Sequence, residues 1–176
     1  MTRIEYPELD ETLYQQTLAN GLTVCVVPRK GFTKRLAYFV TDYGSIHTQY
    51  SLDGKNHQAP AGVAHYLEHK MFDLPGNRDV SAEFAALGAS TNAFTSYDMT
   101  AYYFSCTENF DECLRLLLEF VSTPYFTEES VEKERGNAVL TEKGEAYAFF
   151  AELYKAKGKA EKAKEAMDQK NEHDRK

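Results

Sequence analysis

What this sequence lacks narrows its possible roles before any motif does. No stretch approaches the roughly 20 consecutive apolar residues of a membrane span, and residues 1–16, MTRIEYPELDETLYQQ, contain no apolar core of a secretory signal. A membrane protein is therefore not expected, and a soluble cytoplasmic one is. Positive charge is short: 20 Lys and Arg stand against 27 Asp and Glu, a net charge of −7. Basic residues form no block before the C-terminal tail, so a polyphosphate backbone would be repelled and nucleic acid is not an expected partner. Cysteine is sparse as well. Cys25, Cys106 and Cys113 cannot all pair within the chain, and none has the close Cys or His spacing of a zinc knuckle. Reduced core thiols are expected for all three.

What is present supports one core of ordinary size: 176 residues, 43% hydrophobic and 13% aromatic. YQQTLANGLTVCVVP alternates polar and apolar residues around Asn20-Gly21, the dipeptide favoured by a type I′ hairpin turn. RLAYFVTDYGS, residues 35–45, reads as a third, largely buried strand. The Gly, Ser, Asn and Pro-rich residues 44–61 read as a loop, in which His47 and His57 have no partner at ligand spacing and are expected to be solvated. GASTNAFTSYDMTAYYFS, residues 88–105, reads as two strands about a turn near residues 96–99, with STNAFT polar enough for a sheet edge. NFDECLRLLLEFVSTPYF follows as an amphipathic helix with Leu114, Leu117, Leu118 and Val121 at core spacing.

The chemistry concentrates in AGVAHYLEHKMFDL, residues 61–74. At about 100° per residue, Val63, Ala64, Leu67 and Met71 share one arc, while His65, Glu68 and His69 fall opposite. A histidine satisfied inside the core would have to share the apolar stripe, and neither does. Histidines at i and i+4 are one helical turn apart, so both rings can reach a single Zn²⁺ at about 2.0–2.1 Å, with room for a third protein ligand and a water. Glu68 lies between them in angle and is placed to take a proton from the attacking water. The order His-x-x-Glu-His is that of the inverzincins.

Three segments together, HYLEHKMF at 65–72, GASTNAFTSYDMTAYYFS at 88–105 and PYFTEESVEKERGNAVLTE at 124–142, resemble the pitrilysin/insulinase family of zinc metallopeptidases, most of all its bacterial cytosolic members. The resemblance covers about residues 6–142, in order and at the family's separations. It implies an α+β domain, mainly antiparallel sheet with helices packed on one face, together with zinc and peptide-bond hydrolysis. It makes His65 and His69 zinc ligands, Glu68 the general base and Glu142 the third ligand. It also makes Asn92, Ala93 and Phe94 part of an edge strand that pairs with the backbone of an extended peptide substrate, a β-augmentation.

By periodicity alone, TEESVEKERGNAVLTEKGEAYAFFAELY begins a helix capped by Thr127, and several of its glutamates could approach a metal; the family pattern selects Glu142. The chain departs from that pattern at one place. The family's second glutamate lies seven residues before the ligand, whereas Glu134 and Glu142 are eight apart. On a regular helix the extra residue turns Glu142 by about 100° from Glu134, unless a π-bulge absorbs it. Glu134 is then a candidate for the shell behind the ligands.

The resemblance ends after Lys143. From Lys155 the chain carries eight Lys or Arg against five Asp or Glu, so the expected organisation is a partial peptidase domain over 1–154 and a charged Ala/Lys/Glu-rich tail over 155–176. By the family standard the domain is expected to be incomplete at its C-terminus. Family members close a chamber from paired halves, the second half supplying an Arg and a Tyr toward the substrate, and nothing in this chain matches those residues. A second pitrilysin-like half or partner subunit is therefore expected. The alternative is a non-catalytic pitrilysin-like subunit or fragment that binds peptide or a partner chain.

Overall fold

The computed structural model describes residues 1–52, 54–59 and 62–127. The described residues divide into two compact units, one up to Arg35 and one from Leu36. The first holds an antiparallel sheet of β1 (Thr2–Tyr6), β2 (Glu11–Thr17) and β3 (Thr23–Val26), in that order. The expected hairpin is β2–β3, with Thr17 opposite Thr23, but its turn differs from the type I′ expectation. Gly21 has φ 89°, whereas Asn20 is not among the residues of positive φ. The Gly21 N–H donates to the Leu18 carbonyl at 3.0 Å, and Asn20 Oδ1 accepts the Leu22 N–H at 3.1 Å. That Asn side-chain turn leaves the left-handed position to the glycine alone. Cys25 corrects the thiol expectation: it lies exposed on β3, while Cys106 and Cys113 are buried.

Strand β4 (Arg35–Thr41) begins at the boundary residue and from Leu36 on belongs to the second unit. The strand is where it was expected, but it is not largely buried: Ala37 and Phe39 pack toward the core, while Leu36, Tyr38 and Val40 are each more than half exposed. Residues 44–61 are not a plain loop. They contain the antiparallel hairpin of β5 (Gln49–Leu52) and β6 (Lys55–Gln58), with Gly54 at φ 72° in its turn. In the hairpin His57 stacks on Tyr50 at 5.2 Å between ring centroids, and ahead of it His47 Nδ1 accepts the Gly44 N–H at 2.9 Å. Neither histidine is merely solvated.

The remaining elements are α1 (Val63–Met71), β7 (Asp73–Leu74), β8 (Arg78–Asp79), α2 (Val80–Ala86), β9 (Ser90–Thr95), β10 (Thr100–Cys106) and α3 (Phe110–Ser122). Helix α2 was not expected, though its signals are local: Asp79 accepts the Ala82 N–H as N-cap, and Gly88 follows at φ 76°. Strands β9 and β10 pair antiparallel, Phe94 opposite Ala101, within a sheet of order β4-β10-β9. Among the described residues β9 is thus an edge, as the sequence suggested. Alternation along β10 points Tyr102, Phe104 and Cys106 into a core with Phe84 of α2 and Cys113, Leu116, Leu117 and Phe120 of α3. Phe120 is its centre, edge-on to both Phe84 and Tyr102. The buried face of α3 lies about one residue from the expected one: Leu118 is 42% exposed, and Cys113, Leu116 and Phe120 take the core positions with Leu117. Mixed α and β structure, with antiparallel pairing and three α-helices among the described residues, agrees with the α+β expectation.

Candidate active site

Helix α1 packs against β9 and β10, and burial leaves it one narrow window. Of its nine residues only His65 and His69 are exposed; Val63, Ala64, Glu68 and Lys70 are buried. The two rings meet across one helical turn, with 4.9 Å between centroids and 3.0 Å between the two Nε2 atoms. At that separation one Nε2–H donates to the other nitrogen, the roles depending on tautomer. The donor set suits zinc: two imidazole nitrogens at about 2.0–2.1 Å from one tetrahedral ion lie about 3.3 Å apart. A few tenths of an ångström of ring movement separates the observed pair from that spacing.

Glu68 did not take the exposed place expected of it. It is only 9% exposed, and Thr95 Oγ1, at the end of β9, donates to its Oε2 at 2.7 Å. A buried carboxylate needs such a donor, because an unpaired one would lose its hydration without replacement. The phenol of Tyr102 also lies in its field: burial first, and then the Glu68 charge, push Tyr102 well above the ordinary tyrosine value and keep it neutral. Thr95, Tyr102 and Lys70 are the residues the sequence reading missed. Alternation on β9 was the available signal for Thr95, since it places that residue on the same face as Thr91 and Ala93, toward the helices. Lys70 is 0% exposed and pairs with Asp73 just beyond α1.

The three strand residues fall on different faces. Ala93 packs toward the core, while Asn92 and the 43% exposed Phe94 face away from it. Asn92 Oδ1 accepts the Ala93 N–H at 2.8 Å, so its side chain lies along the strand. Strand β9 and α1 thus bring the edge, Glu68 and the two histidines into one neighbourhood. Among the described residues no group of three His, Cys, Asp or Glu gathers as a metal site. Glu134, Glu142, the helix expected after Thr127 and the tail over 155–176 lie outside the described residues. No helix among the described residues is long and apolar enough to cross a membrane.

With this geometry in place, comparison with known proteins gives the class. The sequence model of the insulinase family, peptidase family M16, matches residues 54–169, and the chain belongs to that family. The match continues past Lys143, where the sequence reading ended the resemblance. Among individual relatives, the chain is 51% identical over 135 residues to the uncharacterized zinc protease YmfH of Bacillus subtilis, covering 76% of this chain and 31% of that one. It is 31% identical over 141 residues to the beta subunit of the mitochondrial-processing peptidase of Caenorhabditis elegans, covering 78% and 29%. Its structure matches an M16-like peptidase of Alicyclobacillus acidocaldarius with a TM-score of 0.70 at 44% identity, covering 76% and 31%. The chain therefore spans about a third of the length of the relatives it matches.

Proposed function

We propose that this chain carries the metal-binding and base-bearing part of a zinc metalloendopeptidase that hydrolyses peptide bonds in extended peptides. The observation that carries the reading is the exposed pair of Nε2 atoms, 3.0 Å apart, flanking the buried Glu68 on α1. His65 and His69 would hold the zinc together with Glu142, and Glu134 would stand behind them. Bound zinc supplies Lewis acidity, polarising the scissile carbonyl and activating water. The chain's own residues do the rest. Glu68 accepts the proton of the attacking water and returns it to the departing amine nitrogen. The edge of β9 at Asn92, Ala93 and Phe94 pairs with the peptide main chain, which holds an extended segment whatever its sequence. Asn92 must then release the Ala93 N–H that its side chain now covers.

A second pitrilysin-like half, in the same protein or in a partner subunit, would close the other side of the substrate. The name of the mitochondrial-processing peptidase relative, a beta subunit, supports an arrangement in subunits. A cytoplasmic setting stays with this proposal. The eight-residue spacing of Glu134 and Glu142 favours a second reading, a subunit that binds peptide or a partner without hydrolysis.

Two variants test both. Glu68→Gln should keep zinc and lower hydrolysis by about 10²–10⁴, because an amide of nearly equal size cannot take the proton. Glu142→Gln should lower bound metal per chain far more than Glu134→Gln. Unchanged hydrolysis in Glu68→Gln would remove the mechanism. Equal zinc affinity in wild type and Glu142→Gln, with no turnover even beside a candidate second half, would establish the non-catalytic reading.

A further inference from the structure

We infer that Thr95 is a positioning residue that sets the Glu68 carboxylate from the substrate-pairing strand; this rests on the reading of Glu68 as the base. Thr95 Oγ1 donates to Glu68 Oε2 at 2.7 Å. A carboxylate held by one oxygen turns less freely, and the other oxygen, Oε1, is left to receive a proton. The donor is itself well held. Threonine is branched at Cβ, so its χ1 is restricted in a strand. Thr95 pairs with Thr100 at the end of the β9–β10 ladder, and the next residue, Ser96, donates its N–H to the Met99 carbonyl at 2.8 Å.

The turn over residues 96–99 is clamped from its other side. Ser45 and Ile46 donate their N–H groups to the carbonyls of Ser96 and Tyr97, each at 2.9 Å. Gly44 lies so close that an added Cβ would sit 2.5 Å from both Met99 N and Ser96 O. The backbone that carries Thr95 therefore has little freedom. Because residues 92–94 immediately precede Thr95, the strand edge proposed to pair with the peptide also holds the base. The separation between base and scissile bond is then fixed by one stretch of strand, which is the preorganisation proton transfer requires.

The test compares Thr95→Val, which keeps the shape and removes the donor, with Thr95→Ser, which keeps the donor. In the zinc-loaded chain with a quenched fluorescent peptide, Thr95→Val should lower kcat about 10-fold, in the range typical of lost outer-shell partners. KM and zinc per chain should stay unchanged, and Thr95→Ser should restore kcat. A second readout needs neither metal nor turnover: the infrared carboxylate stretch of Glu68, isolated by subtracting the same background carrying Glu68→Gln. That band should shift in Thr95→Val and keep its wild-type position in Thr95→Ser. An unshifted band in folded Thr95→Val overturns the inference. So does wild-type turnover in Thr95→Val where Glu68→Gln is inactive, and in that case Glu68 remains the base. Full activity in Glu68→Gln removes the base itself, and this role with it.

Discussion

Helices α1 and α3 pack against the same sheet and solve burial in opposite ways. In α3 the buried positions Cys113, Leu116, Leu117 and Phe120 follow the i, i+3, i+4, i+7 rule, and the exposed strip includes Asp111, Glu112, Arg115 and Glu119. In α1 the buried set includes an acid and a base, Glu68 and Lys70, while the exposed strip is two histidines. Helix α3 gains stability from every residue it buries, roughly 1.5–3 kcal/mol for each large apolar side chain. Helix α1 must find a partner for each buried charge, Thr95 for Glu68 and Asp73 for Lys70. A sequence that departs from the cheapest packing of a helix in this way marks where chemistry constrains it.

The largest effects should separate the two helices cleanly. Phe120→Ala removes the ring at the meeting point of Phe84, Tyr102 and Phe72 and should cost about 3–5 kcal/mol in urea unfolding. His65→Ala and His69→Ala remove exposed rings, so the metal-free chain should lose no more than about 0.5 kcal/mol. Zinc affinity should respond in the opposite order, falling severely in each histidine variant. A metal-free histidine variant that unfolds at room temperature would break the contrast and give the site a structural role.

The same contrast explains what the sequence disclosed. Apolar pattern and periodicity located β4, β10 and α3 because their core residues are ordinary apolar ones, whereas β9 was legible through the polar alternation of an edge strand. The spacing of His65 and His69 was legible for a different reason: residues four apart stand one turn apart on any helix, whatever its other side chains bury. Burial of Glu68 and Lys70 was not legible, because it depends on Thr95 and Asp73 reaching them from outside the helix. The hairpin of β5 and β6 hid in a polar run, although Asp53-Gly54 is a turn signal. Leu36, Tyr38 and Val40 misled in the other sense, since an apolar strand reads as buried whether or not anything covers its second face.

A middling effect sharpens the comparison within α1 itself. Lys70 is fully buried and its partner Asp73 is one-third exposed. Lys70→Ala leaves a void and takes away the cation, and should destabilise by about 2–4 kcal/mol. Lys70→Met fills the same space with an unbranched apolar chain, and Asp73 can turn to water, so the loss should stay under about 1.5 kcal/mol. Equal losses in the two variants would show that the charge, and not the packing of its stem, holds the end of α1.

The smallest effect belongs to the charges that brace α3 from outside. Arg78 donates to both carboxylate oxygens of Glu83 on α2, at 2.7 and 2.6 Å, and to Glu119 on α3 at 2.5 Å. All three side chains reach solvent, so water and salt screen the network and its worth is small. Its pH signature is nonetheless distinct. The Arg78 hydrogen bond holds the Glu83 carboxyl below its ordinary value of 4.5. A carboxyl depressed in the folded state contributes its stability above the unfolded value and loses it as pH falls through the folded one. Arg78→Met should therefore be slightly less stable than wild type at neutral pH, and the gap should close below pH 4.5 as Glu83 protonates. Thermal melts of both chains across acid and neutral pH measure that gap, and a difference that persisted in acid would assign the loss to packing of the Arg78 stem.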